Sequence, residues 1–388
     1  MQTAPGEALM EDRILIASRD GCAGIGGLAS YQRGLSATLQ AAGYGTVFCA
    51  MHADGDRIPP HEILDQERSE PRKLWMRLAS RQWLHPLLEA LTLQRFASGV
   101  DRLAQTRWRA VHFVGTGWDA MGFAMHALAR KCGATFTVWP AVHPGIWGDD
   151  AIDLRLYRLA DTVFCQSRHE VRHLASLGLP EAQTVVSGLP PMCRPDGDGP
   201  ALRARLGIGD RPAVLFLGRR DEGKGYPALL AAWPEIVRQH PGAVLLLAGP
   251  AEPDEEAVPD LPADSFRDLG VPDEKAKADA YDACDIFCLP SAHESFGIVF
   301  VEAWSYGKPV ICGTAPATRE WVRDGINGRW ATWEAPVLSA RILELLADPG
   351  LGRRLGSAGR DFQRSALTWE SVVGIHLKAF GLASPPYA

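Results

Sequence analysis

The sequence holds little that would remove it from water. No apolar run approaches the ~18 residues needed to span a bilayer. Met1 to Asp12 is polar and acidic, without the basic start and apolar middle of a secretory signal. A cytoplasmic chain is the expectation. Excess positive charge is also missing: the formal net charge is −6, so nothing global favours nucleic acid as a partner. Cysteine is sparse, with Cys22, Cys49, Cys132, Cys165, Cys193, Cys284, Cys288 and Cys312 scattered over 388 residues. Several sit inside apolar runs, which suits free buried thiols in a reducing compartment. Cys284 and Cys288 are four apart, but no second pair has zinc-site spacing, so no metal and no cofactor are expected.

What is present is an alternation of short apolar runs with amphipathic stretches. The length suits two domains. Arg13 to Ser18, Gly45 to Ala50, Val111 to Gly115, Thr135 to Pro140 and Thr162 to Cys165 read as strands, and Gly27 to Ala42 reads as a helix. A proline- and glycine-rich break runs from Ser187 to Pro200 and marks a linker. The alternation then restarts with strands at Ala213 to Gly218, Ala243 to Gly249, Asp285 to Leu289 and Pro309 to Cys312, and a helix near Tyr226 to Gln239. Residues from about Ala335 onward read as helical, with Trp369, Val372, Val373, His376 and Phe380 on one face. The expected fold class is α/β: two Rossmann-like, doubly wound domains facing across a cleft. Their expected bounds are 1–190 and 191–366, with a C-terminal helix over 367–388 packing back on the first domain.

Two elements carry chemistry. In Pro290-Ser-Ala-His-Glu-Ser-Phe-Gly-Ile-Val-Phe-Val-Glu-Ala-Trp, Glu294 lies on the loop after a buried strand and Glu302 lies in the helix that Gly297 opens. A helix N-terminus offers free N–H groups to phosphate or sugar hydroxyls, and two carboxylates beside it can accept from hydroxyls. An isolated pair of this kind would more often be two surface glutamates. In Val214-Leu-Phe-Leu-Gly-Arg-Arg-Asp-Glu-Gly-Lys-Gly, a buried strand ends at Gly218, and Arg219 and Lys224 follow on the turn. Cations at the carboxyl end of a parallel strand suit a diphosphate, whereas a solvated basic turn is the plain reading.

Together and in this order, the two elements resemble glycosyltransferase family 4, the retaining GT-B transferases, also called glycosyl transferases group 1. That family carries a strand-Gly-Arg…Lys-Gly turn and a Glu-x7-Glu motif in its second domain. Gly26-Gly27, His143 in Val138-Trp-Pro-Ala-Val-His, Ser167, Pro309-Val-Ile-Cys-Gly, Asp324-Gly-Ile-Asn-Gly and Leu367-Thr-Trp-Glu resemble further family features. The resemblance covers nearly the whole chain. It implies an N-terminal acceptor-binding domain and a C-terminal domain for a nucleotide-diphosphate sugar, with UDP-sugar the commonest donor and a hydroxyl acceptor. It implies that Arg219 and Lys224 hold the diphosphate at Gly218, that Glu302 binds the ribose, and that Glu294 contacts the sugar near the amides of Phe296, Gly297 and Ile298. His143 would hydrogen-bond the donor sugar, Gly26 and Gly27 would admit the phosphates, and Leu269 in Asp268-Leu-Gly-Val would receive the base through its backbone. The implied catalytic set is His143, Arg219, Lys224 and Glu294, working without metal. The sequence departs from the family at Ser187-Gly-Leu-Pro, at Gly313-Thr-Ala-Pro-Ala-Thr-Arg-Glu and at Pro144. These departures bear on acceptor and sugar choice.

Other signals compete. Gly24-Ile-Gly-Gly-Leu-Ala fits a dinucleotide fingerprint, but five residues separate it from the strand end at Ser18. A nicotinamide oxidoreductase is the alternative from another class, and a sugar-nucleotide-binding scaffold without catalysis is the non-enzymatic one. Asp54-Gly-Asp56 and Asp196-Gly-Asp198 read as plain turns, Asp149-Asp150 as a loop or helix cap, and His112 as a packed histidine. Arg68 to Arg109 holds nine cations against three anions, interleaved with Trp75, Trp83 and Trp108. Such a segment can lie on an anionic membrane; a solvated helical pair with its tryptophans facing the core is the competing reading.

Overall fold

The computed structural model describes residues 13–22, 27–51, 61–64, 78–251 and 261–383. They divide into two compact units. One runs to Gly188 and takes up the chain again from Trp369; the other is Leu189–Thr368.

The first unit carries a seven-stranded sheet in the order β3-β2-β1-β4-β5-β6-β7. Its strands are β1 (Arg13–Ser18), β2 (Gly45–Ala50), β3 (His61–Ile63), β4 (Trp108–Val114), β5 (Thr135–Trp139), β6 (Thr162–Cys165) and β7 (Thr184–Val186), and every pairing is parallel. Strands covered by helices on both faces read as continuous apolar runs. That is how β1 appears, with Ile14, Leu15, Ile16 and Ala17 all buried. The second unit repeats the plan in six parallel strands, ordered β10-β9-β8-β11-β12-β13. These are β8 (Ala213–Leu217), β9 (Val244–Ala248), β10 (Phe266–Asp268), β11 (Ile286–Leu289), β12 (Val310–Cys312) and β13 (Arg329–Trp330). In both sheets the strand order reverses beside the first strand, at β1/β4 and at β8/β11. Open α/β sheets bind ligands beyond the carboxyl ends of strands at such a reversal.

The C-terminal helix Trp369–Ala379 packs against the helix Gly27–Ala41 in the first unit. Trp369 lies so close to Gly34 that a Cβ there would stand 2.0 Å from its ring. Tyr31 stacks on Trp139 with ring centroids 4.2 Å apart. His376 Nδ1 lies 2.7 Å from the Val372 carbonyl, so that nitrogen carries the proton and Nε2 accepts from the Tyr31 hydroxyl at 2.7 Å. His112 Nε2 lies 3.2 Å from the same hydroxyl, and its Nδ1 lies 2.9 Å from Thr137 Oγ1. Burial holds both imidazoles neutral, His376 down to about 4 and His112, beside His376, well below its usual value. His112 is thus a core histidine. Among the described residues no helix is long and apolar enough to cross a membrane.

Candidate functional site

The reversal point of the second unit gathers the residues expected there. β8 ends before Gly218, and the chain makes a short 3-10 turn over Glu222–Lys224. Asp221 caps that turn through its carboxylate, which accepts from Lys224 N at 2.8 Å. Gly225 then opens the helix Tyr226–Gln239 at φ +72. A side chain at Gly225 would be strained there, and its Cβ would meet the Pro290 carbonyl at 2.4 Å. That close approach brings the β8 turn against the loop after β11. Ala292 N donates to Gly223 O at 3.0 Å and Ser291 Oγ to the same oxygen at 3.1 Å. The two loops are therefore stitched together, and Lys224 Nζ stands 2.6 Å from Glu294 Oε1.

Both side chains of this pair are largely covered, at 17% and 9% exposure. Arg219 is on the rim, 67% exposed, with Asp221 Oδ2 at 3.1 Å. Phe296 is buried against Trp321, and Gly297 starts the helix Ile298–Ser305 at φ +84. Its Cβ would meet Thr318 Cγ2 at 2.5 Å. No side chain caps this helix start, so the first-turn amides around Ile298 face the same end of the sheet as Lys224. A cation beside a helix N-terminus is an arrangement suited to phosphate oxygens.

Glu302 occupies a different setting. It is 2% exposed. One carboxylate oxygen accepts from Cys193 N at 3.1 Å and Lys277 Nζ at 3.2 Å, the other from the Tyr281 hydroxyl at 2.8 Å. Burial works against the Lys277 charge, but Glu302 and Glu274 outweigh it and raise its pKa. Burial and the neighbouring Glu302 push Tyr281 well up. The two glutamates of the motif thus have separate partners, and Glu302 presents no open carboxylate in this arrangement.

Leu269 follows β10. Its N–H donates to Leu247 O at 2.8 Å, and Gly270 N donates to Asp268 Oδ1 at 2.8 Å. Asp268 is chelated by both terminal nitrogens of Arg220, which hold its carboxyl below the usual range. Arg220 and Asp268 were not singled out as a pair in the sequence. The signal was only a second arginine after Gly218, whose neighbour Arg219 matched the motif. The same holds for Lys277 and Tyr281, which had no motif to mark them.

In the first unit, His143 sits after β5, its N–H donating to Trp147 O at 2.9 Å. Its Nδ1 lies 3.2 Å from the Ala141 carbonyl. Ser167 caps the helix Arg168–Ser176 through Glu170 N. Gly27 is described and Gly26 lies outside the described residues. A Cβ at Gly27 would meet nothing within 4 Å. Asp150 is a helix cap, in a capping box with Asp153, and Asp149 accepts from Gly145 N and His173. Asp198 caps the helix Gly199–Leu206. Asp54 and Asp56 lie outside the described residues. Among the described residues no cluster of three or more His, Cys, Asp or Glu is arranged to hold a metal ion.

Within the basic segment, Arg68, Arg72, Lys73, Trp75 and Arg77 lie outside the described residues. Trp108 is buried in β4. Trp83 corrects the expectation of a core-facing tryptophan: it is 75% exposed, because the buried face of the helix His85–Arg95 is taken by His85, Leu88 and Thr92. Leu87 and Leu91, one helical turn apart, are 55% and 50% exposed beside it.

Comparison with known proteins covers both units. Residues 26–189 match the glycosyl transferase 4-like domain and residues 198–362 match glycosyl transferases group 1. A D-inositol 3-phosphate glycosyltransferase of Xylanimonas cellulosilytica is 30% identical over 69% of this chain and 67% of its own length. A phosphatidyl-myo-inositol mannosyltransferase of Mycolicibacterium smegmatis is 39% identical over 39% of this chain and 40% of its own. A GDP-mannose-dependent alpha-(1-6)-phosphatidylinositol monomannoside mannosyltransferase of the same organism is 31% identical over 55% and 60%. The chain therefore spans about half the length of the first curated relatives it matches. Among solved structures, a sucrose-phosphate synthase from Thermosynechococcus elongatus aligns with a TM-score of 0.74 at 22% identity, over 95% of this chain and 98% of that one. Anabaena HepE in complex with UDP and glucose aligns with a TM-score of 0.71 at 18% identity, over 95% and 99%. These two establish the fold.

Proposed function

The chain belongs to the glycosyl transferases group 1 family and has its GT-B fold, and from that premise we propose that it moves a glycosyl unit from a nucleotide-diphosphate sugar to a hydroxyl acceptor, with retention at the anomeric carbon. The observation that carries the reading is the pairing of Lys224 with Glu294 at the strand reversal of the second unit, beside an uncapped helix start. Breaking a glycosyl–phosphate bond builds positive charge on the anomeric carbon and negative charge on the leaving diphosphate. Preorganised donors at that oxygen lower the barrier. Lys224 and Arg219 supply cations, and the Gly297 helix start supplies amides. Lys224 exchanges Glu294 for phosphate, which leaves the Glu294 carboxylate to accept from hydroxyls of the sugar. The retaining course places the acceptor on the leaving-group face, with a phosphate oxygen as base.

The rest of the donor follows from the neighbouring elements. The base meets the backbone of Leu269. The ribose is assigned to Glu302, whose carboxylate is set by Cys193 N, Lys277 and the Tyr281 hydroxyl. In the first unit, the family pattern assigns Gly27 to the phosphates and His143 to the donor sugar. A relative named for GDP-mannose at 31% identity outweighs an 18%-identical neighbour solved with UDP, so GDP-mannose is the first donor to test, before UDP-sugars. Relatives named for inositol acceptors suggest a cyclic polyol acceptor. Exposed Trp83, Leu87 and Leu91, with exposed Arg81 and Arg95 on the same segment, support seating on an anionic membrane that presents such an acceptor. Binding to anionic vesicles should then weaken with salt and in Trp83→Ser.

A thermal-shift screen against GDP- and UDP-sugars tests the donor assignment, since a ligand that binds only the folded state raises its stability. One nucleotide sugar should shift the transition, and its α-linked sugar should emerge α-linked in the product, with a strong chelator present throughout. A product of inverted configuration, or loss of transfer restored by a divalent ion, would overturn this reading.

A further inference from the structure

The turn that presents His143 is held from one helix, Arg168–Ser176, at two points. Glu170, in the first turn of that helix, is fully buried. One of its carboxylate oxygens accepts from Val142 N at 3.0 Å and the other from Gln166 N at 2.6 Å. His173 lies three residues on, on the same helix face. Its Nε2 donates to Asp149 Oδ2 at 2.7 Å, and that oxygen also accepts from Gly145 N at 2.6 Å. The amide just before His143 and the amide two residues after it are therefore both referred to one rigid element.

The backbone just before these points is strained. Ala141, at φ +53, is the one non-glycine residue with positive φ among those described. Such a conformation is costly and persists only where surroundings impose it. The bond from Val142 N, the next amide along, is such an imposition. A buried carboxylate is a costly way to satisfy amides, since burial disfavours its charge and raises its pKa, while the N–H groups of Gln166, Val142 and Ser167 favour the charged form. Its reward is geometric. Two acceptor oxygens on one short, rigid group tie the β5 turn to the β6 turn at a fixed spacing, which a longer or single-acceptor side chain would not.

We propose that Glu170 is a positioning residue that sets His143 for reaction, with the Asp149–His173 pair as its second hold. The proposal rests on the assignment of His143 to the donor sugar. In Glu170→Gln an amide N–H2 must face one of the two backbone N–H donors, so the turn shifts while the fold keeps its shape. Because displacements below about 1 Å already cost rate, kcat for hydrolysis of GDP-mannose, or of the UDP-sugar the screen selects, should fall roughly ten- to a hundredfold, with KM within about twofold. Asp149→Asn, which removes the charge from the second hold without touching the core, should give a smaller loss of the same kind. In the background of His143→Ala, neither change should lower kcat further, since residues acting through one group are not additive.

Losses that add to that of His143→Ala, or full kcat in both Glu170→Gln and Asp149→Asn while His143→Ala is impaired, would overturn the positioning role alone. A rise in KM with kcat unchanged would do the same. Full kcat in His143→Ala would overturn the assignment of His143 and this proposal with it. Should Glu170→Gln not fold, Asp149→Asn carries the same test.

Discussion

Lys224 meets Glu294 on two loops at the strand ends, whereas Lys277 meets Glu302 between two helices, where the Tyr281 hydroxyl and the Cys193 amide complete the carboxylate's shell. The two glutamates are eight residues apart in one motif and have the same chemistry. Their surroundings differ. The first pair has a rim cation, an uncapped helix start and neighbours that could yield to a phosphate. The second is a closed network that joins two helices and, through the Cys193 amide, also ties the segment at Cys193 to them. A charge pair with a replaceable partner can be exchanged for ligand; one sealed by three donors is first of all part of the structure.

The contrast is broken most severely at Glu302. Replacing it by leucine leaves the Lys277 ammonium buried without its carboxylate and should cost about 3–5 kcal/mol, read as loss of chemical-denaturant stability in the second unit. Glu294→Leu should cost well under half as much. Equal losses would show that the two environments are energetically alike.

A neutral buried cluster sharpens the point, because its response to acid comes from a histidine. His376 has a folded-state pKa of about 4 against an ordinary value near 6.5. A lowered histidine contributes stability that is present above its unfolded pKa and lost as pH falls through the folded one. Between about pH 6.5 and 4 the first unit should lose ~3 kcal/mol through this group. His376→Gln, which stays neutral, should show a correspondingly shallower acid dependence of unfolding. An unchanged slope would place the acid sensitivity elsewhere.

Smaller in free energy, but at the site itself, Lys224→Ala should lower transfer about ten- to hundredfold, the worth of one charge-assisted contact of roughly 1.5–3 kcal/mol. Arg219→Ala should act in the same direction, and the double change should fall short of the sum because both cations serve one diphosphate. Full additivity in steady-state kinetics would separate their roles.

These comparisons also show where sequence reading reached its limit. β1, β2 and β6 were legible to the residue, because a strand buried on both faces is an unbroken apolar run between turn residues. β3, β7, β10 and β13 passed unseen. They are two or three residues long, too short to show any period. The Gly-Arg…Lys-Gly turn and the Glu-x7-Glu motif were legible as patterns because they are local in sequence. Their pairing was not: Lys224 and Glu294 are seventy residues apart, and only the close approach at Gly225 joins them. Nor could a helical position tell that Glu302 turns toward Lys277 and Tyr281. Glu170 carried no signal of its own in the sequence, and Trp83, one of several tryptophans in a basic stretch, gave no sign of which face it takes.

Calorimetric titration of the bare nucleoside diphosphate into wild type, Lys224→Ala and Glu294→Gln tests the exchange of Glu294 for phosphate most directly. Lys224→Ala should weaken binding about ten- to hundredfold. Glu294→Gln, which removes the anion competing for Lys224, should leave binding unchanged or tighter while lowering turnover of the sugar donor. Equal weakening in both variants, or no change in either, would contradict the account.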